Sequence, residues 1–203
     1  MRIVASCLAL LAAFALTSVG ATAVRPTTGV TVILDAKGPY SEQAFNEMRH
    51  EASQIISASG LHLNWRMRSE PFTDSFDDLV VMTFKGSCTF DPAPPIYDEL
   101  GPLAITRTTN GEVQPFGEVN CDRVVNSVRS AMFGGDYAKA DLLIGRALGR
   151  VVAHELVHML TKSGQHAHEG VEKAALSGRQ LIATSLPLSA MDIDRLIEER
   201  RGR

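Results

Sequence analysis

Two spacings of hydrophobic residues divide the first half of the chain into strands and one helix. A short apolar run at 30–34 predicts a buried first strand. Apolar residues at helical spacing over 44–56 predict a helix, with Ser41 as its N-cap. Runs at 61–67 and 79–84 predict the second and third strands. The chain therefore begins as a mixture of α and β elements around one core.

A hairpin and a helix follow a proline-rich loop. Short strands are expected at 103–107 and 112–119, because Asn110-Gly111 between them is a strong signal for a tight hairpin turn. Residues 121–132 are helical in pattern, and the glycines that come next end that helix.

The longest helical stretch is expected from Tyr137 or Ala138 to about Thr161. Gly145 and Gly149 lie in its interior, where each costs ~1 kcal/mol relative to alanine, so another backbone is expected to pack closely there. Ser189 is the expected cap of a last helix over 191–200. The element order predicts a single α+β domain with one long helix and a C-terminal helix.

The first 23 residues have the three parts of a secretory signal peptide. Arg2 supplies the positive end, residues 3–16 are continuously apolar, and Ala21-Thr22-Ala23 fits the cleavage pattern. The apolar run is shorter than the ~20 residues that a membrane-spanning helix needs. We therefore expect residues 1–23 to be removed and residues 24–203 to form a secreted or periplasmic domain.

Cysteine content and charge narrow the possible partners. Removal of the signal peptide leaves Cys88 and Cys121, and an exported protein with two cysteines favours a disulfide between them. The formal net charge is −3 and no long run has one sign, so a nucleic-acid partner is not expected. No later segment is apolar enough to span a bilayer, so no membrane association is expected after signal cleavage.

The chemistry of the chain is concentrated in the longest helix, where residues 154–158 read H-E-x-x-H. His154 and His158 are four residues apart and therefore lie on one helix face, where both imidazoles can bind one zinc ion. Glu155 lies beside them and is expected to accept a proton from zinc-activated water. The apolar residues at 151–153 are typical of a buried active-site helix.

A catalytic zinc site needs a third protein ligand and an open position. Four side chains in the following loop are candidates: His166, His168, Glu169 and Glu172. His166 is favoured because a turn at Ser163-Gly164 can bring it back to the helix. In an extended chain, alternate side chains point to opposite sides, so only one of His166 and His168 is expected to bind the ion.

The sequence resembles the zincin metalloproteases, and most of all the small metzincins of the matrixin or archaemetzincin type. The metzincin pattern is H-E-x-x-H-x-x-G-x-x-H, and its first half matches residues 154–158. Thr161 and Gly164 stand where the pattern has its glycine and third histidine, and His166 comes later. The third ligand is therefore inferred from the loop and not matched to the pattern.

Metzincins also have a methionine in a turn beneath the metal, and the chain has no convincing equivalent. Leu176 falls at about the right place, whereas Met191 lies in a segment that resembles the start of the last matrixin helix. The resemblance is therefore specific at five residues and loose over the rest of the domain.

The resemblance implies a zincin-like single domain, with a mixed twisted sheet, an active-site helix and a C-terminal helix. It also implies a zinc-dependent endopeptidase with Glu155 as general base. It also implies that an exposed strand, 103–107 or 112–119, holds a protein or peptide substrate as an added strand. An ordinary hairpin that covers the core is an equally good interpretation of these two strands.

A non-catalytic, exported zinc-binding protein is the alternative function. A closed site of His154, His158, His166 and His168 would favour this alternative, because structural zinc sites have four protein ligands. Glu155 argues against it, because such a site has no need of a carboxylate in that position.

Overall fold

The computed structural model describes residues 29–71, 76, 78–90 and 101–201. The predicted signal peptide lies outside these residues, as does most of the proline-rich loop between the third and fourth strands. Strands and helices follow one another in the predicted order: β1 (Gly29–Ala36), α1 (Glu42–Ser57), β2 (His62–Met67), β3 (Leu79–Lys85), β4 (Ala104–Thr109), β5 (Glu112–Asn120), α2 (Cys121–Ala131), α3 (Ala140–Thr161), α4 (Gly178–Ile182) and α5 (Ala190–Arg201).

The five strands form one sheet in the order β2-β1-β3-β5-β4. Four of them are parallel, and β4 pairs antiparallel with β5 at the edge. The inner strands β1 and β3 carry much of the apolar core, since residues 30–35 of β1 and alternate residues of β3 are buried. The predicted mixed sheet is confirmed. Only β4 of the two candidate substrate strands has a free edge in this sheet, since β5 lies between β3 and β4.

The hairpin between β4 and β5 turns where the sequence predicts it. Asn110 and Gly111 have φ values of 54° and 83°, the left-handed pair that a tight hairpin turn requires. The register then shifts between Thr106 and Thr108, opposite a stretch of β5 that contains Pro115. Proline has no N–H to donate, so it is tolerated at such an irregularity, which bends the strand pair.

Helix α3 packs closely on α1 through its two glycines, as the sequence predicts. A Cβ atom on Gly149 would lie 2.8 Å from the carbonyl oxygen of Met48, and one on Gly145 would collide with the backbone of Ala44. Ser41 caps α1 by accepting a hydrogen bond from the Ala44 N–H, and its hydroxyl donates to Asp141 at 2.7 Å. The two helices are therefore fixed to each other at their N-terminal ends.

Two local differences separate the helices from the prediction. Helix α3 begins at Ala140 and not at Tyr137 or Ala138, because Gly134–Lys139 forms a 3-10 helix first. The short helix α4 was not predicted, since five residues give no periodic pattern. It is held by a capping box in which Ser177 and Gln180 each accept a hydrogen bond from the other's backbone N–H.

The predicted disulfide joins Cys88 and Cys121, whose Cα atoms are 4.8 Å apart. It links the chain after β3 to the first residue of α2, so it closes the loop that contains the β4–β5 hairpin. Across the described ranges, no helix has both the length and the apolar character needed to cross a membrane.

Candidate metal centre

The two histidines of H-E-x-x-H face each other one turn apart on α3. Their Nε2 atoms are 3.1 Å apart. Two nitrogens that bind one zinc ion at 2.0–2.1 Å in tetrahedral geometry are separated by roughly 3.3 Å. The pair is therefore close to the geometry that a shared ion needs.

Backbone carbonyl groups orient both imidazoles. His154 Nδ1 is 2.9 Å from the carbonyl oxygen of Val171, and His158 Nδ1 is 2.7 Å from that of Ser163. A carbonyl can only accept, so each ring carries its proton on Nδ1 and presents the Nε2 lone pair. Both lone pairs are thereby directed to the same point.

His166 completes the cluster, as the sequence analysis favours. Its ring centroid is 5.2 Å from that of His154 and 4.9 Å from that of His158, and one nitrogen from each of the three rings lies within 4.8 Å of the others. His168 and Glu169 are exposed and do not belong to this group. The alternation along the loop thus separates His166 from His168.

The loop that carries His166 is anchored at several points. Lys162 ends α3 in the left-handed conformation, with φ of 50°. Further along, the Ala167 N–H donates to the Glu172 carbonyl at 2.9 Å, and the Val171 N–H donates to the Pro187 carbonyl at 3.0 Å. The backbone on the C-terminal side of His166 is therefore held against the rest of the domain.

Burial keeps the two helix histidines uncharged. Desolvation lowers the pKa of His154 to about 4, and it also lowers the pKa of His158. Both rings are therefore neutral near pH 7, and no proton competes with a cation for their Nε2 atoms.

Glu155 lies beneath the cleft, held by a hydroxyl from the edge strand. Its side chain is only 5% exposed, and Thr106 Oγ1 on β4 donates to Oε2 at 2.6 Å. Desolvation raises the pKa of Glu155 to about 7, although the Thr106 hydrogen bond lowers it. A carboxyl group with this pKa can exchange a proton near neutral pH.

Glu172, which the sequence offers as a possible ligand, lies on the opposite side of the imidazoles. Its carboxyl oxygens are 3.5 Å from His154 Nδ1 and 3.9 Å from His158 Nδ1, and the side chain is fully buried. Burial is the main cause that raises the pKa of Glu172 to about 9, with Asp192 and Glu155 contributing. These contacts are not ion pairs in the metal-free protein, because both partners are then neutral.

Among the described residues, Glu172 lies beneath the imidazoles, in the place that the metzincin resemblance would assign to a methionine. Glu172 occupies the Nδ1 side of both rings, Leu176 lines the cleft, and Met191 is 45% exposed on α5. The expectation that Met191 is not a turn methionine agrees with this exposure.

A cleft of about 550 Å³ opens over the histidine cluster. Residues 103–106 of the edge strand line one side, and residues 173–176 line another. Most of these side chains are apolar, and Lys173 is the one cation among them. The edge of β4 that has no strand partner among the described residues therefore runs along the cleft, which the three histidines and Glu155 also line.

A buried arginine on α3 anchors the chain that follows residues 173–176. Arg150 is one helical turn before His154 and is fully buried. Its guanidinium donates to the Gln180 carbonyl at 2.6 Å, to the Ala183 carbonyl at 2.8 Å and to Glu51 at 2.8 Å. The segment around α4 is thus tied to the helix that carries H-E-x-x-H.

The donor set fits zinc. Three imidazoles converge, two of them kept neutral by burial and oriented by backbone carbonyls, and the described residues supply no fourth ligand to the group. Three protein ligands with one open position are the arrangement of a catalytic site.

Sequence reasoning did not single out Thr106, and it offered Glu172 only as one of four candidate third ligands. Neither belongs to a recognisable motif. The alternation of side chains along β4 could have identified Thr106. It places Thr106 at an inward position of the strand, on the side of the H-E-x-x-H helix.

Comparison with known proteins supports the fold and leaves the family open. No protein-family model and no curated protein matches the sequence. Among solved structures, the chain is similar to archaemetzincin from Methanopyrus kandleri, with a TM-score of 0.52 and 11% identity over 88% of this chain and 99% of that one. A second structure, the GM1-bound form of the ECX AB5 holotoxin, matches with a TM-score of 0.43 and 9% identity over 85% and 80% of the two chains. The domain therefore has an archaemetzincin-like α and β fold.

Proposed function

We propose that this protein is a zinc-dependent endopeptidase in which His154, His158 and His166 bind the metal and Glu155 is the general base. One observation carries this proposal: three convergent imidazoles and a buried carboxyl group open into a single cleft beside a free strand edge. The similarity in fold to archaemetzincin also supports it.

The protein's own groups have distinct roles in this mechanism. When bound, zinc supplies Lewis acidity for the peptide carbonyl and lowers the pKa of water toward ~7. The Thr106 hydroxyl holds Oε2 of Glu155, which leaves Oε1 to accept the proton of the attacking water. A base with a pKa of about 7 can then return this proton to the departing amine. Burial around Glu155 keeps competing water away.

The substrate is a protein or peptide that binds along β4. The outer edge of β4 has no strand partner in the described sheet, so its backbone N–H and C=O groups can pair with an extended chain. Such a chain would lie over the histidine cluster, since residues 103–106 line the same cleft. Its side chains would meet the mostly apolar wall at 173–176.

We propose that the protein acts outside the cytoplasm, in the periplasm or as a secreted enzyme. The disulfide between Cys88 and Cys121 supports this, because disulfides persist in oxidising compartments. Residues 1–23, which have the pattern of a signal peptide, would direct the export. N-terminal sequencing of the exported protein tests the cleavage, which we expect after Ala23.

The test of function combines zinc content with cleavage of unfolded casein. Wild type is expected to hold one zinc ion per chain and to cleave casein. Glu155→Gln should keep the metal and lose at least about 100-fold in rate, the contribution of a general base. His166→Ala should lose zinc, whereas His168→Ala, an exposed histidine in the same loop, should keep both zinc and activity.

Two outcomes would overturn the proposal. Zinc binding without any cleavage, with Glu155→Gln indistinguishable from wild type, would favour a non-catalytic zinc protein. Loss of zinc in His168→Ala but not in His166→Ala would overturn the ligand assignment.

A further inference from the structure

We propose that Lys173 is a specificity-determining residue of the cleft, and that its ammonium group binds a carboxylate of the peptide close to the histidine cluster. The inference rests on the proposed peptidase function and names the class of peptide that the site accepts. Such a carboxylate comes from an aspartate or glutamate side chain or from the C-terminus of a peptide, and the experiment separates these two sources.

Lys173 lies beside the loop that carries His166. Its backbone pairs with that of Ala167 in an isolated β-bridge, and the Ala167 N–H donates to the carbonyl before Lys173 at 2.9 Å. The side chain of Glu172 is fully buried behind the imidazoles of H-E-x-x-H, and neighbouring side chains in extended backbone point to opposite sides. Lys173 is accordingly only partly buried and lines the cleft, which His166 also lines.

The ammonium group of Lys173 has no acidic partner in the described part of the chain. The ion pairs and side-chain hydrogen bonds of residues 29–71, 78–90 and 101–201 do not involve it. The other titratable groups that line the cleft there are the three histidines and Glu155, whose carboxyl group is held by the Thr106 hydroxyl. The cleft therefore presents one cation that is available to a substrate.

The surroundings of Lys173 favour a carboxylate as its partner. The wall continues with apolar residues at 174–176, and the wall formed by 103–105 is also apolar. Water screens a charge less between apolar walls than on an open surface, so an ion pair is stronger there than an exposed one. An uncharged amide in the same position offers the ammonium group only a weaker hydrogen bond.

The position of Lys173 limits where the carboxylate can lie. Because the β-bridge is next to His166, the flexible four-carbon stem starts beside the histidine cluster. A peptide extended along β4 advances by ~3.3–3.6 Å per residue, so the ammonium group reaches side chains within about two residues of the bond over the cluster. We therefore expect the acidic group near the cleaved bond and not at a remote position.

Binding of labelled peptides to zinc-loaded Glu155→Gln protein tests the proposal without cleavage. An apolar decapeptide amide carries a single glutamate, a second has glutamine in its place, and a third is the glutamine peptide with a free C-terminal carboxylate. Fluorescence anisotropy gives the Kd of each. We expect the glutamate peptide to bind about 10-fold more tightly than the glutamine amide. The same advantage in the third peptide alone would identify the C-terminal carboxylate as the bound group.

Substitutions of Lys173 separate its contribution from that of zinc, which also attracts carboxylates. In Lys173→Met the preference should fall below about threefold, whereas Lys173→Arg keeps the cation and should keep most of the preference. Lys173→Glu should favour the same peptide with lysine in place of glutamate. Lys139→Met removes an exposed lysine that does not line the cleft, and it should bind all peptides as the parent protein does. Zinc content should be unchanged in every variant.

Equal binding of the three peptides by the parent protein overturns the proposal, and so does a preference that survives in both Lys173→Met and Lys173→Glu. If Lys173→Met fails to fold, Lys173→Arg and Lys173→Glu decide the question. Cleavage of casein by wild type together with equal binding would overturn this inference and leave the peptidase function standing. A preference that depends on Lys173 in a protein that cleaves nothing would contradict the peptidase function and leave the binding role of Lys173 standing.

Discussion

Thr106 on the edge strand β4 and Glu155 on helix α3 are joined by a hydrogen bond of 2.6 Å. Gly117, the partner of Thr106 across the hairpin, packs against the buried Met82, and a Cβ atom there would lie 2.6 Å from Met82 Sδ. The hydrogen bond of Thr106 connects the strand proposed to receive substrate directly to the proposed base.

Replacement of Thr106 by valine is expected to impair catalysis more than binding. Valine keeps the shape but removes the donor, so Glu155 loses the contact that fixes its carboxyl group. We expect kcat on a casein-derived peptide to fall about 10- to 100-fold, with KM changed by less than about threefold. Steady-state kinetics of the zinc-loaded protein measure both.

Thr106→Ser is the matched control for this prediction. Serine retains the hydroxyl group and should keep kcat within about threefold of wild type. An unchanged kcat in Thr106→Val, or a loss in Thr106→Ser as large as in Thr106→Val, would contradict a positioning role for the hydroxyl.

The metal-free protein is expected to become less stable as the pH rises from 6.5 to 9. The folded-state pKa values of Glu172 and Glu155 are raised to about 9 and about 7. The stability that these two groups contribute is therefore fully present below their unfolded-state pKa of 4.5, and it is lost as the pH rises through their folded-state pKa values. The lowered pKa of His154, about 4, acts in the opposite direction only up to its unfolded value of 6.5. Above pH 6.5 the two carboxyl groups therefore determine the direction in which stability changes with pH.

Thermal unfolding of the chelator-treated protein between pH 6.5 and 9 tests this sign. Glu172→Gln removes the carboxyl group whose pKa is raised more, so the melting temperature of this variant should depend less on pH than that of wild type. A wild-type melting temperature that stays constant or rises over this range would contradict the assigned shifts.

Removal of the disulfide by Cys88→Ala with Cys121→Ala should lower the free energy of unfolding by about 2–4 kcal/mol, because the unfolded chain gains conformational freedom. Urea unfolding of the two proteins measures the difference. A reductant should destabilise wild type and have no effect on the double variant. Equal stability of the two proteins would contradict a structural role for the bond.

Gly149→Ala should destabilise the protein although alanine is the better helix former. The gain in helix propensity is ~1 kcal/mol, but the new Cβ would lie 2.8 Å from the Met48 carbonyl oxygen and 2.7 Å from Glu51 Cβ. Since backbone cannot yield as a flexible side chain can, we expect a net loss of about 1–3 kcal/mol in urea unfolding. Gly135→Ala, with open space around it, should change stability by less than about 0.5 kcal/mol.

The sequence predicts the elements well where periodicity or turn chemistry acts locally. Asn110-Gly111 predicts the hairpin, and Gly145 with Gly149 predicts the close helix contact, because each requirement is met by the residue itself. The order of the strands in the sheet cannot be predicted in this way. That β5 lies between β3 and β4 follows from long-range pairing, which no local pattern encodes.

The candidate site also has some residues that local sequence patterns predict and others that depend on tertiary packing. His154, Glu155 and His158 are readable from one helix, and the favoured His166 joins the histidine cluster. Thr106 and the true place of Glu172 depend on how a distant strand and a folded-back loop meet α3. Their contacts are fixed by tertiary packing alone.

The buried guanidinium of Arg150 ties helix α3 to the chain at 180–183. Residues 173–176 are therefore held at both ends, by the buried Glu172 behind the histidines and by the anchored α4. Side chains at 173–176 can thus be exchanged without disturbing the histidine cluster, and such exchanges should alter which peptides enter the proposed active site.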